Sequence, residues 1–219
     1  NGDYIRTVMT HSDGSIWVGS STGLNRIRDG KVEQINWDQH TQPSVLSLGE
    51  AADGSVWVGT YTDGLLHWKD GKLSAVLQQK DGMLSNEIRA ILTDSQQNLW
   101  IGTASGLSVL RADGTLHNYA SEDGLPASFI MALQEDEQHR IWVGTGLGVS
   151  VFDGEKFEHI NITNMENAEY IFGFYNEPDY MWMTSDRGLI RYRKSDGAIG
   201  MVGRKDGLPI DKLFQVIPD

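Results

Sequence analysis

The sequence of 219 residues contains no cysteine, few basic residues and no long apolar run. Without cysteine there can be no disulfide, zinc–thiolate site or cysteine nucleophile. No stretch approaches the roughly 18 apolar residues of a membrane span, so direct membrane contact is not expected. Lys and Arg total 18 against 30 Asp and Glu, which gives a formal net charge of −12. This balance disfavours nucleic acid and anionic membrane surfaces as partners, because both bind to basic faces.

What the chain does contain is a repeated tryptophan motif. In four copies a glycine stands two residues after the tryptophan, and a second glycine follows at six or seven residues in all five. In the fifth copy Thr184 takes the place of the first glycine. A fixed period of about 40 residues indicates a repeat architecture. The motif tryptophans are Trp17, Trp57, Trp100, Trp142 and Trp182.

Each repeat is predicted to form four short antiparallel strands joined by Gly, Asp and Asn turns. The first strands are apolar on both faces, so a single sheet cannot bury its own surface. Stacking neighbouring sheets around an axis supplies the missing cover, and the sequence therefore predicts an all-β protein, a β-propeller of four-stranded blades. The tryptophan is expected to wedge between adjacent sheets, and the first glycine to allow close backbone approach. Asp13-Gly14 and Asp53-Gly54 are predicted turns.

The repeat phase also predicts where the blades begin and end. Residues 209–219 resemble the start of a sixth copy, with 213–217 in place of its first strand. This favours a segment of a larger propeller of about seven blades, whereas a five-bladed ring with a displaced tail is the alternative. The opening Asn1-Gly2 is expected to lie within a longer chain. The predicted blades are approximately 1–42, 43–84, 85–126, 127–167 and 168–208.

Two motifs together resemble the two-component regulator propeller repeat. The first is the tryptophan motif, such as NLWIGTASGL at 98–107. The second, which we call the Asp-Gly-Leu marker, precedes the first strand of a repeat, as DGLPASFI does at 123–130. The five copies cover essentially the whole chain. The fifth copy departs from the pattern at Met183-Thr184 and at 175–178, so a distorted blade is expected there.

The resemblance implies the extracytoplasmic, periplasmic sensor region of a bacterial membrane-spanning signalling protein. The implied output is a histidine kinase, often a hybrid, or a diguanylate cyclase, carried elsewhere in the full-length protein. The implied partner is a small-molecule or oligosaccharide ligand, and the resemblance also allows a homodimer of the whole receptor.

The sequence contains none of the common catalytic or metal-binding motifs. The six histidines form no metal-binding spacing, and there is no calcium loop and no nucleophile elbow. We therefore predict no catalytic residue, no metal and no cofactor, and a non-enzymatic role for this segment. Two alternatives stay open: a protein-interaction or dimerisation scaffold, and an enzyme similar to the streptogramin lyases, which are also propellers.

A ligand site is predicted at the end of the sheets that carries the loops from fourth to first and from second to third strands. Two arginines begin first strands there and could meet a carboxylate or sulfate; alternatively, each pairs with a loop aspartate. The enlarged loop of the second copy holds a tyrosine and an aspartate, and an Asp-Arg pair replaces small residues in the fifth. The candidate ligand-binding residues are Arg6, Tyr61, Asp63, Arg89, Asp186 and Arg187.

Overall fold

The computed structural model describes residues 4–37, 42–162 and 170–215, which form five four-stranded antiparallel sheets. In each sheet the strands lie in chain order, so the chain forms a succession of meanders, and the all-β prediction is confirmed. The first two sheets are β1 (Ile5–Thr10), β2 (Ile16–Ser20), β3 (Gly23–Arg28), β4 (Lys31–Ile35), β5 (Val45–Glu50), β6 (Val56–Thr60), β7 (Leu65–Lys69) and β8 (Lys72–Leu77). The other three are β9 (Ile88–Thr93), β10 (Leu99–Thr103), β11 (Gly106–Leu110), β12 (Leu116–Tyr119), β13 (Ile130–Glu135), β14 (Ile141–Thr145), β15 (Gly148–Phe152), β16 (Phe157–Ile160), β17 (Ile171–Asn176), β18 (Tyr180–Ser185), β19 (Leu189–Arg193) and β20 (Ile199–Val202).

The chain divides into two compact units, Asn1–Asn118 and Tyr119–Asp219. Within the first unit β1 packs beside β5 and β5 beside β9; within the second, β13 packs beside β17. Because first strands meet first strands, the first strand is the inner strand of its sheet in both units.

The core lies between neighbouring sheets, where the motif tryptophans pack. Trp17 is fully buried and packs with Val45 and Val56 of the second sheet. In the second unit Trp142 packs in the same way with Ile171 and Met181 of the fifth sheet. The predicted wedge between adjacent sheets is therefore confirmed, and these large rigid side chains supply much of the apolar area buried at each junction.

The glycine two residues after the tryptophan leaves room for the next sheet. A Cβ on Gly59 would overlap Ser47 Oγ and lie 2.7 Å from Ile88 Cγ2 of the third sheet. A Cβ on Gly144 would likewise lie 2.8 Å from Ile171 Cγ2. The predicted close approach of the backbone is thus confirmed, and any side chain here would push two sheets apart.

The fifth sheet is regular, so the expected distortion is wrong. In the other sheets a small side chain on the first strand faces a glycine on the second, as Ala90 faces Gly102. In the fifth sheet the two are exchanged: Gly173 faces Thr184. A Cβ on Gly173 would lie 3.1 Å from Thr184 Oγ1 and 3.2 Å from the Phe214 carbonyl oxygen. The glycine on the first strand therefore compensates for the threonine on the second.

This exchange predicts that a second substitution restores stability lost through the first. We expect Gly173→Ala to lower the free energy of unfolding by about 1–3 kcal/mol, because the added methyl group overpacks the pair. The double variant G173A/T184G restores the Ala–Gly pairing of the third sheet and should recover a large part of that loss. Urea unfolding of the wild type, both single variants and the double variant measures the coupling free energy. Additive effects of the two substitutions would contradict the compensation.

Carboxylates organise the turns between first and second strands. Asp136 Oδ1 accepts from the Gln138 and Arg140 amides, while Oδ2 accepts from Arg140 Nε and, at 2.8 Å, from Trp142 Nε1. Burial raises the pKa of Asp136, but these donors outweigh burial and hold its pKa below the ordinary value. In the first sheet the turn begins with His11 instead, and Trp17 Nε1 has no hydrogen-bond partner among the described residues.

The Asp-Gly-Leu marker forms a short 3₁₀ turn, which the strand pattern did not predict. In Gln79–Asp81 the Asp81 carboxylate accepts from the Gln78 amide, and Gly82 follows at φ 105°. Met83 is then buried in the junction with the third sheet. Equivalent turns are Ser121–Asp123 and Arg204–Asp206.

The predicted sixth copy is only partly covered by the structure. Residues 209–215 contain no strand, although the Leu213 amide donates to the Ser185 carbonyl oxygen at 2.9 Å. Residues 216–219, which include the rest of the predicted strand, lie outside the described residues. The blade boundaries and the total number of blades remain predictions.

Candidate ligand-binding surface

Each inner strand carries a β-bulge at its second residue. In the first sheet Ile5 pairs with Ser20 and Thr7 with Gly19, so Arg6 has no residue opposite it. The same shift recurs in the other four sheets. Bulges redirect side chains and are common beside active sites. We call these positions the bulge row of each unit: Arg6, Leu46 and Arg89 in the first unit, and Met131 and Phe172 in the second.

The residue two positions before the bulge contacts the bulge residue in two of the sheets. Glu87 forms an ion pair with Arg89. In the second unit the Tyr170 ring stacks on Phe172, with ring centroids 6.1 Å apart and planes 8° from parallel. In the third and fifth sheets both side chains therefore lie on the same side of the strand and form a short two-residue surface.

Two of the predicted site residues, Arg6 and Arg89, occupy equivalent places in the bulge row of the first unit. Arg89 is half-buried and forms an ion pair with Glu87. The alternative prediction named a loop aspartate as its partner; the partner is instead a glutamate two residues earlier in the chain. Arg6 is exposed and has no ion-pair partner among the described residues. The Arg6 guanidinium therefore lies at the exposed end of the inner strand of the first sheet.

Hydrogen bonds to neighbouring segments fix the backbone of the enlarged loop of the second sheet, between β6 and β7. The Asp63 amide donates to Thr60 Oγ1 at 2.8 Å, and the Asp63 carbonyl oxygen accepts from Gln78 Nε2 at 3.0 Å. The Tyr61 amide donates to the Ser44 carbonyl oxygen, and the Tyr61 side chain is 52% exposed. The loop therefore presents a tyrosine ring from a fixed backbone.

The last two predicted residues lie in the second unit, in the turn between β18 and β19. The Arg187 amide donates to Ser185 Oγ at 3.1 Å, and the Arg187 side chain is exposed. Asp186 Oδ1 is buried and accepts no hydrogen bond within the part of the chain that the structure describes. A buried carboxylate oxygen without a donor costs free energy.

Sequence reasoning missed an aromatic cluster in the second unit: Tyr170, Phe172, Lys212 and Phe214. The rings of Phe172 and Phe214 lie 4.9 Å apart, and Lys212 Nζ lies 5.4 and 5.1 Å from their centroids. Tyr170 is 46% and Phe214 63% exposed. The signal was alignment with Arg6 and Arg89: Phe172 occupies the same position of its repeat.

Three hydrogen-bonded side chains lie at the end of the second sheet opposite its bulge. Ser55 Oγ donates to Asp53 Oδ1 at 2.5 Å, and His67 Nε2 lies 2.6 Å from Ser55 Oγ. Burial lowers the pKa of His67. In a serine triad the histidine lies between serine and acid, whereas here the serine lies between the other two. This order does not activate a nucleophile.

Among the described residues, no group of three His, Asp or Glu side chains could hold a metal ion. The part of the chain covered by the structure also has no helix that is long and apolar enough to cross a bilayer.

Comparisons with known proteins show what this chain is similar to. Residues 82–105 and 124–146 match the family model described as Two component regulator propeller, which confirms the resemblance seen in the sequence. A relative named Histidine kinase P4, from Formosa agariphila, is 25% identical over 221 residues, which cover 90% of this chain and 16% of the relative.

Solved structures confirm the propeller fold. The extracellular domain of a putative hybrid two component system from B. thetaiotaomicron matches with a TM-score of 0.80 and 23% identity, over 95% of this chain and 29% of that one. A virginiamycin B lyase from Staphylococcus aureus matches with a TM-score of 0.78 and 14% identity, over 95% and 72% of the two chains. The chain has the β-propeller fold, two of its repeats match the two-component regulator propeller model, and it spans less than a third of the two-component proteins that it resembles.

Proposed function

We propose that this segment is a non-enzymatic, ligand-sensing propeller module in the extracytoplasmic part of a bacterial two-component sensor. The observation that supports it most is the bulge row of each unit, in which every sheet carries one redirected side chain at the second residue of its inner strand. The relative named as a histidine kinase favours a kinase output over a diguanylate cyclase. The extracellular domain that it resembles favours a periplasmic location.

The side chains on this surface suit a small anionic ligand or an anionic oligosaccharide. Arg6 and Arg89 place cations on a chain of net charge −12, and guanidinium groups bind carboxylate and sulfate through paired hydrogen bonds. In the second unit the exposed rings of Tyr170 and Phe214 offer flat apolar faces. Within the second unit Lys212 lies beside the rings of Phe172 and Phe214, and aromatic faces with a few charged groups are typical of ligand sites.

The two alternatives have less support. A lyase-like enzyme shares the fold, but the described histidine network of the second sheet has its serine in the middle and lies away from the bulge row. A scaffold needs no open cation on an inner strand, and Arg6 is exposed there.

Ligand binding is tested by a thermal-shift screen with neutral, uronic-acid and sulfated oligosaccharides, followed by calorimetric titration. We expect an anionic oligosaccharide to raise the melting temperature. Arg6→Met should then weaken binding about tenfold or more, since tenfold is about 1.4 kcal/mol and charged hydrogen bonds contribute at least that. Arg28→Met is the matched control: Arg28 lies in the same sheet at the opposite end, and its loss should leave affinity unchanged. If no class of oligosaccharide shifts the melting temperature, the scaffold alternative replaces ligand sensing.

A further inference from the structure

The residue that pairs with the motif tryptophan across the second and third strands is an arginine in two sheets. In the first sheet Arg26 pairs with Trp17, and its guanidinium carbon lies 5.5 Å from the centroid of the indole. In the fifth sheet, within the second unit, Arg191 lies 5.7 Å from the Trp182 ring. The face of an aromatic ring attracts a cation. In the second sheet the same position holds His67, a residue type that gains and loses its charge near neutral pH.

In the first sheet Arg26 combines three contacts in one side chain. Its Nε donates to Ser15 Oγ at 3.2 Å, and its Nη2 donates to Asp13 Oδ2 at 2.5 Å. The third contact is with the indole of Trp17, which is fully buried. The cation on this indole therefore has a carboxylate of its own beside it.

The second sheet divides these contacts between two residues. His67 stacks on the Trp57 indole, with ring centroids 4.0 Å apart and planes 17° from parallel, and its Nε2 lies 2.6 Å from Ser55 Oγ. Lys69 Nζ donates to Asp53 Oδ2 at 2.7 Å. Because the Ser55 hydroxyl donates its hydrogen to Asp53 Oδ1, the hydrogen between Ser55 and His67 belongs to Nε2. A neutral ring that carries its hydrogen on Nε2 satisfies this geometry.

The groups around His67 leave a second proton without a counter-charge of its own. Across the strand pairing His67 faces Trp57 on β6 and Ser74 on β8, and both are uncharged. Among the described residues, the charged groups that act on the ring are Asp53 and Lys69, which already pair with each other. Burial has the largest effect, and it lowers the pKa of His67.

The indole on which His67 stacks belongs to the junction with the third sheet. Trp57 packs against the cluster that contains Ile88 and Leu99, and both of these side chains are buried. Trp57 itself is half-buried. A change in the contact between His67 and Trp57 therefore acts on the packing of the second sheet against the third.

We propose that His67 is a pH-sensitive support of Trp57, and through it of the junction between the second and third sheets. At neutral pH the uncharged ring stacks on the indole and donates to Ser55. In acid the imidazolium places a second cation near the one carboxylate that Lys69 already neutralises. The proposal depends on contacts within the first unit and is independent of ligand sensing.

The direction of the pH effect follows from the environment of the ring. Burial makes the pKa of His67 lower in the folded chain than its ordinary value of 6.5. The unfolded chain therefore binds this proton more readily than the folded chain does. The contribution of His67 to stability is fully present above pH 6.5 and is lost as the pH falls below that value.

His67→Gln tests the proposal, because glutamine keeps an N–H donor for Ser55 but does not titrate. Melting temperatures of the whole chain are measured between about pH 8 and pH 5. Below pH 6.5 we expect the wild type to lose melting temperature faster than His67→Gln. The difference is at most about 3–5 °C per pH unit, the limit for one proton in a chain of this size. The matched control is His117→Gln on the outer strand β12, where the side chain is exposed, and its profile should follow the wild type.

Lys69→Met tests the role of the counter-charge. Without Lys69 the Asp53 carboxylate is left to neutralise the imidazolium, so the excess acid sensitivity should shrink. An NMR titration of the histidine ring signals reads the same effect directly and needs no substitution at position 67. The His67 midpoint should lie below 6.5 in the wild type and rise in Lys69→Met. The proposal is overturned by parallel melting profiles of the wild type and His67→Gln, by a wild-type midpoint at or above 6.5, or by a midpoint that Lys69→Met leaves unchanged.

Discussion

Replacing Trp142 with phenylalanine is expected to lower the free energy of unfolding by about 2–4 kcal/mol. The substitution removes the indole N–H that donates to buried Asp136, a hydrogen bond to a charged group worth about 1.5–3 kcal/mol. It also leaves a void where the larger ring packed, at about 1 kcal/mol more. Arg140 still donates to Asp136, which limits the loss.

Trp17→Phe provides the matched comparison within the same chain. Trp17 fills the equivalent place in its sheet and is equally buried, but its Nε1 has no partner among the described residues. Removing an unsatisfied buried donor offsets the loss of volume, so we expect a change of about 0–1 kcal/mol. Urea unfolding, followed by circular dichroism, measures the free energy of unfolding of both variants. Equal losses at the two positions would show that the carboxylate does not support the indole.

Replacing Lys194 with methionine is expected to cost about 2–3 kcal/mol. The Lys194 side chain is only 8% exposed, and its three ammonium hydrogens are matched by three acceptors: Glu137 Oε2 at 2.5 Å, Asn176 Oδ1 at 2.6 Å and the Glu177 carbonyl oxygen at 2.6 Å. These acceptors belong to the fourth and fifth sheets, so the lysine joins two sheets within the second unit. Without it the half-buried Asn176 side chain and the Glu177 carbonyl oxygen lose a charged donor, and the exposed Glu137 loses its ion pair; hydrogen bonds to charged groups contribute about 1.5–3 kcal/mol.

The neighbouring Arg193→Met is the control, since Arg193 pairs with Asp196 at an exposed site and exposed pairs contribute little. Acid sensitivity gives a second readout. The Lys194 hydrogen bond lowers the pKa of Glu137 in the folded chain, so its stabilising effect is present above the ordinary glutamate pKa, near 4.5, and is lost as pH falls below it. The wild type should therefore lose more stability than Lys194→Met between about pH 5 and pH 3. Parallel pH profiles would contradict this role.

The spacing of the tryptophans was enough to predict the blades, because one repeated packing problem has one repeated solution. The turns at Asp13-Gly14 and Asp53-Gly54 were predictable for a similar reason, and both glycines have positive φ. The fifth sheet was misjudged because Thr184 was considered alone. Its compensation by Gly173 depends on which residues face each other, and strand register is not visible in a single strand.

The candidate surface was predictable only in part. Arg6 and Arg89 were identified from their charge near the start of inner strands, but the bulge that redirects them is a property of strand pairing. Phe172 looked like a core residue because apolar side chains of inner strands are normally buried. Only the bulge shows that Phe172 occupies the position in its own sheet that the two arginines occupy in theirs.

Hydrogen exchange of the indole N–H groups tests most directly whether the repeats stack as propeller blades. In ¹⁵N-labelled protein, the buried indoles of Trp17, Trp100 and Trp142 should exchange only through global unfolding, whereas the half-buried Trp182 should exchange sooner. Fast exchange at the three buried positions would contradict stacked sheets with tryptophan between them.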